Sequence, residues 1–253
     1  MALLHCSFTS LVLQRKCSMN VFVPEAPHSD GKPGFPVLYL LHGRSDDENT
    51  YLQCGVNRLL QGHELLVVMP DGARSFYSDM VSGERYWTFL SEELPRLLKV
   101  MFPVRTERES TFAAGLSMGG YGALKLGLRH PERFAKIAAM SSVADIGWVG
   151  RPEGGMADVE VQAIFGSRTG MLGGENDLFH LARGFAPDAA RPELWMRCGV
   201  DDILIQENRA FRAHLENLGG WKLDYRESAG AHTWDFWLGV MPELLDFLEG
   251  KNQ

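Results

Sequence analysis

FAAGLSMGGYGALKLGLRHPE, residues 112–132, sets one serine among residues too small to fill space, between an apolar run and a helical period. Gly115-Leu116-Ser117-Met118-Gly119 matches the G-x-S-x-G pattern. In that pattern a serine sits on a sharp strand-to-helix turn, its hydroxyl raised at the top of a sheet. Small neighbours are needed there because strand and helix must approach closely. Gly115, Gly119, Gly120, Gly122 and Ala123 supply the clearance. The bare pattern is weak in a glycine-rich chain, but here TFAAGL precedes it and a helical segment, Gly119 to Arg129, follows. The bland alternative is a tight turn holding an ordinary serine.

Outward from this stretch, apolar runs of strand length alternate with helical periods. FPVLYLLHG, ELLVVMPDG and STFAAGLS read as strands buried on both faces, with AKIAAMSS and ELWMRCGVDD as weaker examples. SEELPRLLKVMF reads as a helix that Ser91 would cap, and LIQENRAFRAHLENLG and WDFWLGVMPELLDFLEG as two more. The alternation predicts an α/β fold whose mostly parallel central sheet is flanked by helices. SFTSLVLQ and MNVFVP, joined by RKCS, predict an N-terminal antiparallel hairpin at the sheet edge. Residues 147–184 carry nine glycines and little strand character, which suggests a small cap-like insertion within one domain spanning residues 1–253.

A serine is a weak nucleophile until a base, itself oriented by an acid, removes its proton. In such sheets the partners follow in the order Ser, Asp or Glu, His. His130, His180, His214 and His232 lie beyond Ser117. His130 stands before a proline at a helix end, His180 lies in the insertion, and His214 sits mid-helix. His232, in SAGAHTWDFW, follows the last strand through a loop of small residues and is the preferred base. For the acid, Asp201 and Asp202 end the preceding strand, with Asp202 preferred; Asp177 and Asp224 also fit the order but lie in the insertion and in a strand pattern. An oxyanion hole needs two backbone donors. The amide of Met118 and one from the loop at Gly43 and Arg44 are the candidates. His42 and Gly43 at that strand end, and Tyr86 and Trp87 in DGARSFYSDMVSGERYWTFL, are candidates to contact substrate. A structural hydrogen bond for His42 and core packing for the aromatics are the bland alternatives.

Composition narrows the classes. The formal net charge of -7 argues against a nucleic-acid surface. No apolar run reaches the ~18 residues of a membrane span. MALLHCSFTS lacks the layout of a signal peptide, so a cytoplasmic location is expected. Cys6, Cys17, Cys54 and Cys198 are scattered and read as reduced thiols. Neither a metal nor another cofactor is expected, and an oligomer is left open.

The stretches PVLYLLHGRSDDENTY, VVMPDG, SEELPRLL, AAGLSMGGYGALKLGLRHPERF, CGVDDIL and GAHTWDFW carry a resemblance, spanning nearly the whole chain, to the esterase D-type branch of α/β-hydrolases. That branch includes tributyrin-type esterases, S-formylglutathione hydrolases, feruloyl esterases and mycolyltransferases. The resemblance implies an α/β-hydrolase fold and a serine carboxylesterase acting on short-chain, small-molecule esters through an acyl-enzyme. It places Ser117, Asp202 and His232 on the catalytic triad and the amides of Met118 and Arg44 on the oxyanion hole. The turn GRSDDEN lacks the cysteine that formylglutathione hydrolases tend to carry, and His42 stands where they usually have serine. Both departures favour the compact tributyrin-type esterases. A formylglutathione thioesterase and a carbohydrate (acetyl xylan or feruloyl) esterase are the alternatives within the branch. A non-catalytic binding protein of this fold is the alternative outside it.

Overall fold

The computed structural model describes residues 2–25, 28–186 and 188–251. Eight strands form one sheet: β1 (Ala2–Ser10), β2 (Arg15–Val23), β3 (Val37–Leu41), β4 (Leu66–Pro70), β5 (Thr111–Leu116), β6 (Lys136–Met140), β7 (Glu193–Gly199) and β8 (Leu223–Ser228). Their order is β1-β2-β4-β3-β5-β6-β7-β8. β1 and β2 pair antiparallel, β2 meets β4 antiparallel, and the other neighbours are parallel. The expected architecture is therefore present, hairpin included.

The central strands read as unbroken apolar runs because both of their faces are buried. Along β3, Val37, Tyr39 and Leu41 enter one core while Leu38 and Leu40 enter the other. Six helices concern us: α1 (Leu94–Met101), α2 (Met118–Arg129), α3 (Asp158–Phe165), α4 (Leu178–Arg183), α5 (Ile205–Leu218) and α6 (Trp234–Glu249). The first core takes Leu94 and Leu98 of α1, Tyr121 and Leu124 of α2 and Phe211 and Leu215 of α5. The second takes Trp237, Met241 and Leu244 of α6.

Two boundaries differ from expectation. The hairpin turns at Leu11–Gln14, not at RKCS, and Arg15 already belongs to β2. The cause is distant in sequence: the buried Glu93 carboxylate accepts hydrogen bonds from the Ser10 hydroxyl and from the amides of Leu11 (2.7 Å) and Val12 (3.3 Å). Those bonds hold the turn where the strand pattern would have continued. Ser91, expected as an N-cap, lies inside a helical stretch that begins at Tyr86 and passes through a π-helical turn, Phe89–Glu93, into α1. Its hydroxyl donates to the Trp87 carbonyl, 2.8 Å away on the preceding turn. That turn is buried through Tyr86, Trp87 and Thr88, and this burial carries the helix past the serine.

Residues 147–184 hold the short helices α3 and α4 and two 3-10 turns, Ile146–Gly150 and Pro152–Gly154. All four cysteines are free. Among the described residues no helix is long and apolar enough to cross a membrane.

Candidate active site

β5 lies near the middle of the sheet, and Ser117 follows its last residue. Its backbone is at φ 54° and ψ -117°, a region that costs an L-residue on the order of 1–3 kcal/mol. Three bonds hold it there: the Ser117 amide donates to Met140 O (2.9 Å), and its carbonyl accepts from Tyr121 N (3.1 Å) and Val143 N (3.2 Å). The small neighbours have a measurable cause. A Cβ on Gly119 would stand 2.0 Å from Leu41 O, and one on Gly115 would stand 2.4 Å from the Gly119 carbonyl carbon. Backbone thus packs on backbone beneath the serine, leaving no room for any other residue.

The partners arrive from the carboxyl ends of other strands. Val200 N donates to Ser228 O (2.9 Å) and Asp201 N to Gly230 O (3.0 Å), so the loops after β7 and β8 run side by side. His232 Nε2 is 3.1 Å from Ser117 Oγ, and Nδ1 is 3.0 and 3.1 Å from the two Asp202 carboxylate oxygens. Asp202 is buried while Asp201 is exposed, which separates the two adjacent acids. Burial alone would raise the Asp202 carboxyl. The His232 hydrogen bond and charge, the Leu204 amide (2.8 Å) and Ser141 outweigh it and hold the group below the usual carboxylate range. Trp237 sets its ring edge-on to His232 at 4.9 Å and donates its indole N–H to Ser141 Oγ at 3.0 Å, bracing this cluster from one side.

The other candidates lie elsewhere. His130 stacks on Trp87, His180 is exposed on α4, and His214 bonds Phe179 O at 3.0 Å. Asp177 caps α4, and Asp224 is paired with Arg197 at 2.9 Å.

In the loop after β3, the Gly43 amide donates to Asp46 Oδ2 (3.1 Å), so it is not free to receive an oxyanion. The Arg44 amide follows it in the same loop. The Met118 amide stands at the first residue of α2, where helical N–H groups have no intrahelical acceptor. Gly43, Arg44 and Ser117 share one cleft of about 280 Å³, with Phe76, Leu116, Val143, Trp148, Leu204, His232, Trp234 and Trp237 among its walls. Its aromatic and aliphatic walls are interleaved with the polar side chains of Arg44, Ser45, Asp46, Ser117, His232 and Thr233.

Three of the expected substrate contacts lie outside this cleft. His42 is buried with both ring nitrogens engaged, Nδ1 with Gly43 O (2.7 Å) and Nε2 accepting from Gly72 N (2.8 Å). It ties the loops after β3 and β4 together and does not line the cleft. Trp87 lies under Arg129 and Lys125, 4.1 and 4.8 Å from its ring, in a cation–π stack away from Ser117. Tyr86 lines a neighbouring cleft instead. The walls that sequence reasoning missed are Phe76, Trp148, Trp234 and Trp237. HTWDFW carried a signal for the last two, since positions three apart on a helix share a face. Nothing local marks Trp148. Among the described residues, no group of three or more His, Cys, Asp or Glu side chains is placed to hold a metal ion.

Comparison with known proteins gives three kinds of match. A family model, Esterase, described as "Putative esterase", matches residues 10–248. An acetyl esterase of Caldicellulosiruptor saccharolyticus is 32% identical over 252 residues, covering 94% of each chain. Among solved structures, a fluorophosphonate-binding serine hydrolase of Staphylococcus aureus superposes with a TM-score of 0.89 at 28% identity, covering 98% of both chains. An S-formylglutathione hydrolase of the same organism superposes with a TM-score of 0.85 at 28% identity over the same shares.

Proposed function

We propose that this chain, which belongs to the esterase family, has the α/β-hydrolase fold and is a serine ester hydrolase, acts on small esters with short acyl chains. The observation that carries this reading is the line Ser117–His232–Asp202, at 3.1 and 3.0 Å, with Ser117 and His232 lining a cleft of about 280 Å³ and Asp202 buried behind them. A cleft of that size suits a small apolar acyl group, and longer chains meet Trp148 and Phe76.

Ser117 Oγ attacks the ester carbonyl as its proton passes to His232 Nε2. Asp202 accepts the bond from Nδ1–H, which selects the tautomer and stabilises the imidazolium that forms. The oxyanion is received by the amides of Met118 and Arg44, donors already aimed at the place where charge develops. Collapse expels the alcohol, which takes the proton from His232. Water, deprotonated by the same imidazole, then releases the acid. The segment 147–184 acts as a cap over this cleft within one domain, contributing Trp148 to its wall and the Gly154 carbonyl to Arg44.

Ser117→Ala, assayed on p-nitrophenyl butyrate, tests the reading. Turnover is expected to fall by about a thousandfold or more with the fold unchanged by circular dichroism. Undiminished turnover by the folded variant would remove Ser117 from the mechanism. The similarity to a named acetyl esterase favours oxygen esters over thioesters. The ratio of kcat/KM on butyryl esters and on S-formylglutathione separates the two.

A further inference from the structure

Beside the nucleophile cleft lies a wider one of about 640 Å³, and the two share Arg44, Ser45 and Asp46 as a common wall. Most charges of the wider cleft are already matched. Arg74 holds Glu160 through two hydrogen bonds, 2.7 and 2.9 Å. Glu84 accepts from Arg15 Nε at 3.1 Å, and Asp46 turns back to the Gly43 amide of its own loop.

Arg44 differs. Among the described residues no carboxylate lies within ion-pair distance of its guanidinium, and its one protein acceptor is Gly154 O, 2.8 Å from Nη1. Nε and Nη2 have no acceptor among the described residues, and neither is a buried unpartnered atom, so both keep some exposure on a residue that lines both clefts. The side chain is half-buried. Burial first, and then the charge of Arg74, hold the guanidinium below the usual arginine range, with Glu160 opposing. Glu160 is already engaged by Arg74, so Arg44 is a partly desolvated cation without an ion pair of its own, a cost that an anionic ligand would offset.

We infer that Arg44 anchors an oxyanion group carried on the alcohol side of the ester, so that the favoured substrates are short-chain acyl esters of anionic alcohols. This rests on the esterase reading above. The smaller cleft, which holds Ser117 and is walled by Phe76, Trp148 and Trp234, suits the acyl chain, which leaves the wider cleft, where Arg44, Asp46, Arg74, Glu84 and Glu160 stand among apolar walls, for the leaving alcohol. Arg44 stands between them. Its planar fork presents adjacent N–H groups to a carboxylate or phosphate, a geometry an ammonium cannot match.

The test uses a matched pair, 3-acetoxybenzoate and its neutral counterpart 3-acetoxybenzamide. Values of kcat/KM are measured for both on the wild type, Arg44→Gln and Arg44→Lys. Because the Arg44 amide belongs to the proposed oxyanion hole, the readout is the ratio of the two esters within each protein, in which general damage cancels. We expect the anion-to-neutral ratio to fall about tenfold in Arg44→Gln, a loss typical of a charge-assisted hydrogen bond, and to return in part in Arg44→Lys. The wild-type preference should also shrink between ~0.02 and ~0.5 M salt. Equal ratios in wild type and Arg44→Gln, with both esters turned over, would overturn the inference and leave the esterase reading intact. A wild-type ratio indifferent to salt would overturn it too, without needing any variant to fold. Turnover of neither ester by the wild type would overturn the esterase reading as well.

Discussion

Two pairs of glycines in this molecule, one at the Ser117 turn and one in the insertion, sit in opposite surroundings. In the turn around Ser117, Gly115 and Gly119 are compressed against backbone, and a single added methyl would stand 2.0 to 2.4 Å from main-chain atoms. In the insertion, Gly173 and Gly174 have nothing within 4 Å of where a Cβ would go. The first pair holds a strained serine between a strand and a helix. The second pair occupies open space, where glycine fills no close contact. Composition treats the two regions alike, and the difference appears only when each position is asked what a side chain would strike.

The largest effects should fall on the compressed region. Asp202→Asn, which removes the acid that orients His232, should lower kcat by roughly a thousandfold or more. Asp201→Asn, one residue away but exposed, should leave kcat unchanged. Steady-state kinetics on one short-chain ester checks both, and equal losses would void the distinction between the two acids. Gly119→Ala should cost on the order of 4 kcal/mol or prevent folding, because the atom it would strike is the Leu41 carbonyl oxygen and not a movable side chain. Urea denaturation measures that cost.

The third prediction concerns the link between the regions. Lys125 on α2 is fully buried, and its ammonium donates to Tyr77 O (3.2 Å), Ser78 Oγ (2.9 Å) and Asn176 Oδ1 (2.6 Å), the last belonging to the insertion. Burial, assisted by the charge of Arg129, lowers its pKa from 10.5 to about 7. Between those values the unfolded chain binds the proton and the folded protein releases it, so stability rises with pH across that window. The contribution is bounded by about 1.4 kcal/mol per pH unit for one proton. Lys125→Met should flatten the rise of Tm between pH ~7.5 and ~9.5 relative to wild type. Parallel curves for the two proteins would show that the lysine keeps its proton in the fold.

Smaller effects belong to the insertion. Trp148→Ala should widen the Ser117 cleft and raise kcat/KM for longer acyl chains over butyryl, by about fourfold per accommodated methylene at about 0.8 kcal/mol each. An unchanged acyl-length profile would mean that other walls set the limit. Gly174→Ala should change stability by no more than about 0.5 kcal/mol, the opposite extreme from Gly119→Ala.

Much of this was readable before any coordinates, for a physical reason. The apolar strands, the glycine-flanked serine and the small-residue loop before His232 are all local patterns, in which each residue's neighbours in sequence are its neighbours in space. Readings that failed depended on partners far along the chain. The hairpin turn is set by Glu93, some eighty residues later. Ser91 looked like a cap because the buried turn before it, Tyr86–Thr88, carries no polar signature of a helix start. Trp87 and Trp148 are both aromatic residues without a telling local pattern, and only their positions in space show that one stacks on cations while the other lines the Ser117 cleft.

The sequence by itself determined the sheet with helices on both faces, the serine on its strained turn and the order in which its partners follow, because hydrophobic period and backbone clearance are written residue by residue. Tertiary structure alone decided that His42 ties two loops together, that Asp202 is buried against His232 while Asp201 is exposed, and that Arg44 is left without an ion pair between two clefts. Each of those depends on which segments converge at one end of the sheet. That convergence is a property of the packed chain, and no stretch of the sequence contains it.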